Sequence, residues 1–176
     1  MLILLPPSET KRSGGTEGTA LDYGRLTFPE LTPVRRTVVD ATRRLARNLG
    51  AATAALRLGS TQAAEVARNR AILTSPVLAA IDRYDGVLYE ALDAASLTDA
   101  ERAFAGEHVA IASAAFGLIR ALDPIPAYRL THDSRLPGLS LKREWRGPLS
   151  ALLAATPGVL LDLRSEAYAA LGPLPD

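Results

Sequence analysis

The apolar positions of this chain form three short runs, separated by longer stretches of helical spacing. The runs are Leu2–Leu5, Val109–Ala114 and Val159–Leu163. An apolar run of this length without alternation suits a strand buried on both faces, and turn residues bound each one. Elsewhere the period is helical. Val34, Val38, Leu45 and Leu49 share one side, with Ala41 and Thr42 between them, while Arg36, Asp40, Arg43 and Arg47 fall on another. Thr32-Pro33 gives that helix a cap and a first-turn proline, and Gly50 is expected to end it. Ser75-Pro76 is expected to start a short helix. Tyr84-Asp85-Gly86 reads as a turn before a helical piece ending at Leu92. Thr98 and Glu101, three apart, form a capping-box start for a helix to about Ala105. Leu141–Ala155 is a helix candidate that Gly147-Pro148 is expected to interrupt, and its Trp145 suits a core or pocket wall. Residues 14–30 look irregular. The expected fold is mixed α/β: one domain over 1–176, a mostly apolar central sheet flanked by helices.

Each apolar run ends in a polar cluster. Ser8, Glu9 and Lys11 follow the first, Arg120, Asp123 and Arg129 the second, and Arg164, Ser165 and Glu166 the third. If the strands are parallel, the clusters meet at one sheet edge, where α/β proteins build pockets. The segment 113–130 is the most constrained. Pro124 and Pro126 hold Asp123 and Ile125 out of helix, so a stiff turn can aim Arg120, Asp123 and Arg129 at one place. The same residues would also serve as an internal ion pair tying the turn. The candidate pocket is therefore Ser8, Glu9, Lys11, Arg120, Asp123, Tyr128, Arg129, Ser165 and Glu166. The loop after the first strand suits phosphate, but it lacks Walker spacing.

Length and charge add a second feature. The 176 residues carry a net charge of only +1, yet residues 31–70 hold eight arginines against Asp40 and Glu65. A local excess of six suggests a basic face with an anionic partner, although a solvated helix face has the same pattern. Within it, Gly59, Ala63 and Val66 keep the spacing of the second half of a helix-hairpin-helix element. Such a turn offers the N–H groups of a helix start to a DNA phosphate. Arg57 stands where the first glycine is usual, so an ordinary helical hairpin remains open. Arg36, Arg43, Arg47, Arg57, Gly59, Ser60, Thr61 and Arg68 are the DNA-contact candidates. With no cysteine and only His108 and His132, neither an iron–sulfur cluster nor a histidine-rich metal site is legible, and no cofactor is expected. His108, at a strand entrance, reads as structural. Met1–Leu5 falls far short of the ~20 residues of a membrane span and lacks the basic region of a signal peptide.

The segment FGLIRALDPIPAYRL (116–130) resembles the central signature of the YaaA family, the bacterial peroxide-stress proteins. MLILLPPSETK at the start, YDGVLYEALDA (84–94), LKREWRGPLSALL (141–153) and LDLRSEAY (161–168) match in the same order. The resemblance implies a bacterial cytoplasmic protein of mixed α/β fold that binds DNA and limits damage from peroxide and free iron. Family members usually continue for several dozen residues past the SEAY-like motif, with a basic segment. This sequence stops at Asp176, so part of the fold and of its basic surface is expected to be missing.

The leading reading is a protein that binds double-stranded DNA through its phosphate backbone with little sequence preference, since no helix offers a base-reading set. The alternative is an enzyme acting on a nucleotide or nucleobase, a nucleotide-like small molecule bound in the basic pocket at the strand ends. No triad, nucleophile elbow or metal set names its reaction. A third reading is a non-enzymatic partner-binding protein.

Overall fold

The computed structural model describes residues 1–59 and 62–174. Three apolar runs give three strands of one sheet, as their pattern requires: β1 (Leu2–Leu5), β3 (Val109–Ser113) and β6 (Leu160–Asp162). β1 pairs parallel with both others, Leu4 lying opposite Ala110 on one side and Asp162 on the other. A fourth strand, β4 (Gly117–Arg120), was not legible in the sequence. It follows β3 through a tight turn and pairs antiparallel, completing the order β4-β3-β1-β6.

Gly117 permits that turn, with φ at +75°. It also lies under the Trp145 ring, which an added Cβ would meet at 2.5 Å. Trp145 is fully buried, and its Nε1 donates to the Ala114 carbonyl at 2.9 Å. The indole thus reads the hairpin backbone from the flanking helix α7 (Leu141–Ala155). α7 is continuous, contrary to the expected interruption. Pro148 lies past the first turn and so removes one intrahelical hydrogen bond, yet the buried row Leu141, Trp145, Leu149, Leu152, Leu153 holds the helix across it.

α1 runs from Thr32 to Leu45, and Arg35 on it is 0% exposed. Gly50 does not end it. Asn48 starts a separate helix, α2 (Leu49–Ala55), by accepting from Ala51 N–H at 3.0 Å, which leaves Gly50 inside the first turn. α3 (Ala63–Arg70) packs against both. After Pro76 comes a strand, β2 (Val77–Ala79), in place of the expected helix start, because β5 (Pro124–Pro126) pairs with it antiparallel. The extended backbone that two prolines impose on 123–126 supplies that partner. Short helices α4 (Ala80–Arg83) and α5 (Val87–Leu92) follow. Then comes α6 (Asp99–His108), with the capping box of Thr98 and Glu101 in place. α8 (Glu166–Ala169) follows β6.

Two buried arginines stitch the loops to this frame. Arg35 donates to the carbonyls of Thr27, Phe116 and Leu118 at 2.7–3.0 Å. Arg83, also 0% exposed, donates to the carbonyls of Arg12, Gly14, Pro76 and Ile125. Among the described residues no helix is long and apolar enough to cross a membrane.

Candidate functional site

The parallel pairing of β1, β3 and β6 brings their C-terminal ends to one edge, and a buried lysine lies there. The loop after β1 turns back at Ser8 and is fixed to the segment after α4, with Arg12 N–H donating to Arg83 carbonyl and Asp85 N–H to Thr10 carbonyl. This places Lys11 inside, 3% exposed. Its Nζ donates to the carbonyls of Ser8 (2.9 Å) and Glu9 (3.1 Å). The same nitrogen lies 4.3 Å from the Tyr128 ring centroid and 5.4 Å from that of Tyr84. Burial, and then the neighbouring Arg129 charge, push its pKa down from 10.5 to about 7, while Glu65 and Glu9 oppose the shift.

A chain of hydroxyls packs next to this lysine. Tyr128 links to Tyr84 at 2.8 Å and to Ser113, the last residue of β3, at 2.7 Å. Tyr89 donates to the Pro6 carbonyl at 2.8 Å. Burial raises the pKa of Tyr84, Tyr89, Tyr128 and Tyr168, so these hydroxyls stay neutral. Arg129 completes the edge. Its backbone is held by Asn69, fully buried, which donates to its carbonyl (2.6 Å) and accepts from its N–H (2.7 Å). Its guanidinium meets the Glu9 carboxylate at 2.7 Å, and its Nε is buried without a partner among the described residues.

Of the pocket candidates, the structure therefore gathers Ser8, Glu9, Lys11, Tyr128 and Arg129. Ser165 and Glu166 are exposed beyond the end of β6, three and two positions before Tyr168. Arg120 and Asp123 are not part of this edge, which corrects the expectation of one shared pocket. The antiparallel β4 carries the chain back, so Arg120 sits opposite Ala110 near the start of β3. There its guanidinium donates to the Glu107 carbonyl. Asp123 accepts from Thr27 N–H (2.9 Å), Thr27 hydroxyl (2.7 Å) and Arg120 N–H (3.0 Å), tying the turn to the loop before α1. Its role is internal, close to the ion-pair alternative but through backbone. Tyr84, Ser113, Tyr89, Asn69 and Tyr168 escaped the sequence reading. Tyr84 and Tyr89 lie in segment 84–94, whose turn, helical piece and family resemblance do not by themselves mark a site.

The arginine-rich region is less charged at its surface than its composition suggests. Arg35 is internal. Arg57 pairs with Asp133 at 2.6 Å, and Arg68 with Glu65 at 2.7 Å and with the Ser13 hydroxyl. Arg43 lies 3.7 Å from Asp40, and Arg70 caps the Ala46 carbonyl. Arg36, stacked 4.6 Å over the Tyr23 ring, Arg44 and Arg47 have no carboxylate partner among the described residues. Arg44 was missing from the DNA candidates. α2 and α3 pack against each other. Arg57 takes the left-handed conformation, φ +53°, that a glycine would hold at that position. Gly59 N–H is occupied by the Gln62 side chain at 2.9 Å, and the expected contacts at Ser60 and Thr61 lie outside the described residues.

Comparison with known proteins agrees with this frame. A UPF0246 protein of Corynebacterium glutamicum is 44% identical over all of this chain and 71% of its own length. One from Corynebacterium efficiens is 41% identical over 99% of the chain and 71% of its own length. One from Streptomyces coelicolor is 42% identical over 97% of the chain and 66% of its own length. The family model described as peroxide stress protein YaaA matches residues 1–174, and the chain belongs to that family.

Proposed function

We propose that this protein serves the peroxide stress response by binding duplex DNA through its phosphates and so limiting iron-dependent damage there. The observation that supports this reading is the row of exposed arginines on α1 and its following turn. Arg36, Arg43 and Arg47 are spaced by seven and four residues and so share one helix face, with Arg44 beside them. Three of the four lack a carboxylate partner among the described residues, so their charge is available. The α2–α3 pair adjoins this face through α1–α3 packing and would add helix N–H groups once Gln62 releases Gly59.

Phosphate binding releases counterions, so duplex affinity should fall steeply with salt and vary little with sequence. Replacing Arg36, Arg44 and Arg47 together with Ala should weaken binding to every duplex and lower the salt slope by up to about three units, roughly one per lost contact. Unchanged affinity and slope in a salt titration would remove this face from consideration. A second reading, a site for a small anionic molecule at the strand ends, draws on one observation: the unpartnered Arg129 Nε beside Lys11.

A further inference from the structure

Only two of the twenty Lys and Arg residues of this chain are lysines, Lys11 and Lys142. Where a plain positive charge suffices, the chain uses arginine, including at the buried positions Arg35 and Arg83. A buried lysine in the loop after β1 therefore calls for something arginine lacks. The difference is chemical: an amine can shed its proton near neutral pH and attack carbon, while a guanidinium keeps its charge.

The surroundings fit that use. Lys11 Nζ faces two aromatic rings, which would shelter a cationic imine, and a chain of neutral phenols and Ser113 packs next to it. Arg129 is anchored through Asn69, and its buried Nε has no partner among the described residues. Its one carboxylate partner among the described residues, Glu9, is 66% exposed. A surface ion pair of this kind is worth about 0–1 kcal/mol. An incoming anion can therefore displace the Glu9 carboxylate from Arg129 and arrive beside the amine.

The geometry points to Lys11 as a nucleophile that forms an imine with an aldehyde or ketone carrying a phosphate or carboxylate, the anion being held by Arg129. This deepens the second reading above and does not depend on DNA binding. The neutral Nζ adds to the carbonyl carbon, and the C=O π pair moves to oxygen, which is protonated. That oxygen then leaves as water with the amine's two hydrogens, and a C=N bond remains. No oxidant or reductant is consumed.

The test is reductive trapping of the full chain with cyanoborohydride at pH 7, followed by peptide mass spectrometry. Pyridoxal 5′-phosphate serves as the phosphorylated aldehyde and pyridoxal as its uncharged counterpart. Lys11 should be modified at least about tenfold faster than the exposed Lys142, because burial beside Arg129 leaves much of the Lys11 amine neutral at this pH. The phosphorylated probe should react faster at Lys11 than pyridoxal, and Arg129→Met should erase that preference. Lys11→Arg, checked for an unchanged melting temperature, should lose the adduct. In the wild type, the trapping rate should rise with a midpoint near pH 7. A duplex with one abasic site presents the same open-chain aldehyde beside phosphates. Trapping of that duplex at Lys11 would identify a DNA-borne source, and trapping of pyridoxal phosphate alone a free metabolite. Equal labelling of Lys11 and Lys142, or none at Lys11 with any probe, overturns the proposal. Saturable, Arg129-dependent binding of pyridoxal phosphate without an adduct also overturns it, while leaving the anion site standing.

Discussion

Replacing Lys11 with Met should change how stability depends on pH. In the folded protein the amine titrates near pH 7, against 10.5 for an unperturbed lysine. Between those values the unfolded chain holds a proton that the folded chain does not. Stability must therefore rise with pH across this window, and below pH 7 the buried ammonium weighs against folding in full. One proton corresponds to about 1.4 kcal/mol per pH unit, so the wild type should gain about 2 kcal/mol from pH 7.5 to pH 9.5. For a chain of this size that is a rise of roughly 4–8 °C in melting temperature. Met fills a similar volume against the Tyr84 and Tyr128 rings but carries no proton, so its slope over the same window should be close to flat. The comparison rests on slopes because Met also strands the Ser8 and Glu9 carbonyls, which lowers stability at every pH. Above pH 10 the trend should reverse, since the unfolded tyrosines ionise there and the four buried ones do not. Urea unfolding at four pH values between 7.5 and 9.5 measures the effect. Equal slopes in wild type and Lys11→Met would refute the claim that burial depresses this amine.

Gly117→Ala should destabilise by about 3 kcal/mol or more in urea unfolding, because its Cβ would meet the buried Trp145 ring at 2.5 Å in a left-handed backbone. Gly138→Ala, equally left-handed but with nothing within 4 Å, should cost only about 1 kcal/mol. Asp123→Ala leaves the Thr27 and Arg120 N–H groups without their acceptor and should cost about 2–5 kcal/mol. Since Asp123 lies away from the Lys11 edge, aldehyde trapping at Lys11 should be unchanged in that variant at a temperature where it stays folded.

Local chemistry made much of this protein legible in its sequence. The apolar runs at 2–5 and 109–114 specify buried strands because such runs have no polar face to turn outward, whereas 159–163 forms an edge strand that leaves Leu161 exposed. Thr32-Pro33 and the Thr98–Glu101 box specify helix starts because the capping atoms lie within four residues of the groups they satisfy. Lys11 and Arg129 could be named because each follows a strand or the stiff proline segment. The direction of β4 was decided elsewhere. Arg120 and Asp123 carry the same residue types as a pocket would, and only the antiparallel return through Gly117 puts them at the far edge. The Pro76–Ala79 segment became a strand because residues 124–126, far along the chain, offered an edge to pair with. Asn48 outcompeted Gly50 as a boundary because its side chain had a free N–H to accept. Eight arginines look alike in sequence, yet one is a core clamp, three pair with carboxylates, one caps a backbone carbonyl and three have no carboxylate partner among the described residues. Residue type fixes what a side chain can do, but burial and partners are set by contacts between residues distant in the chain, and these decide whether it does so at a surface, in a core or beside a reactive amine.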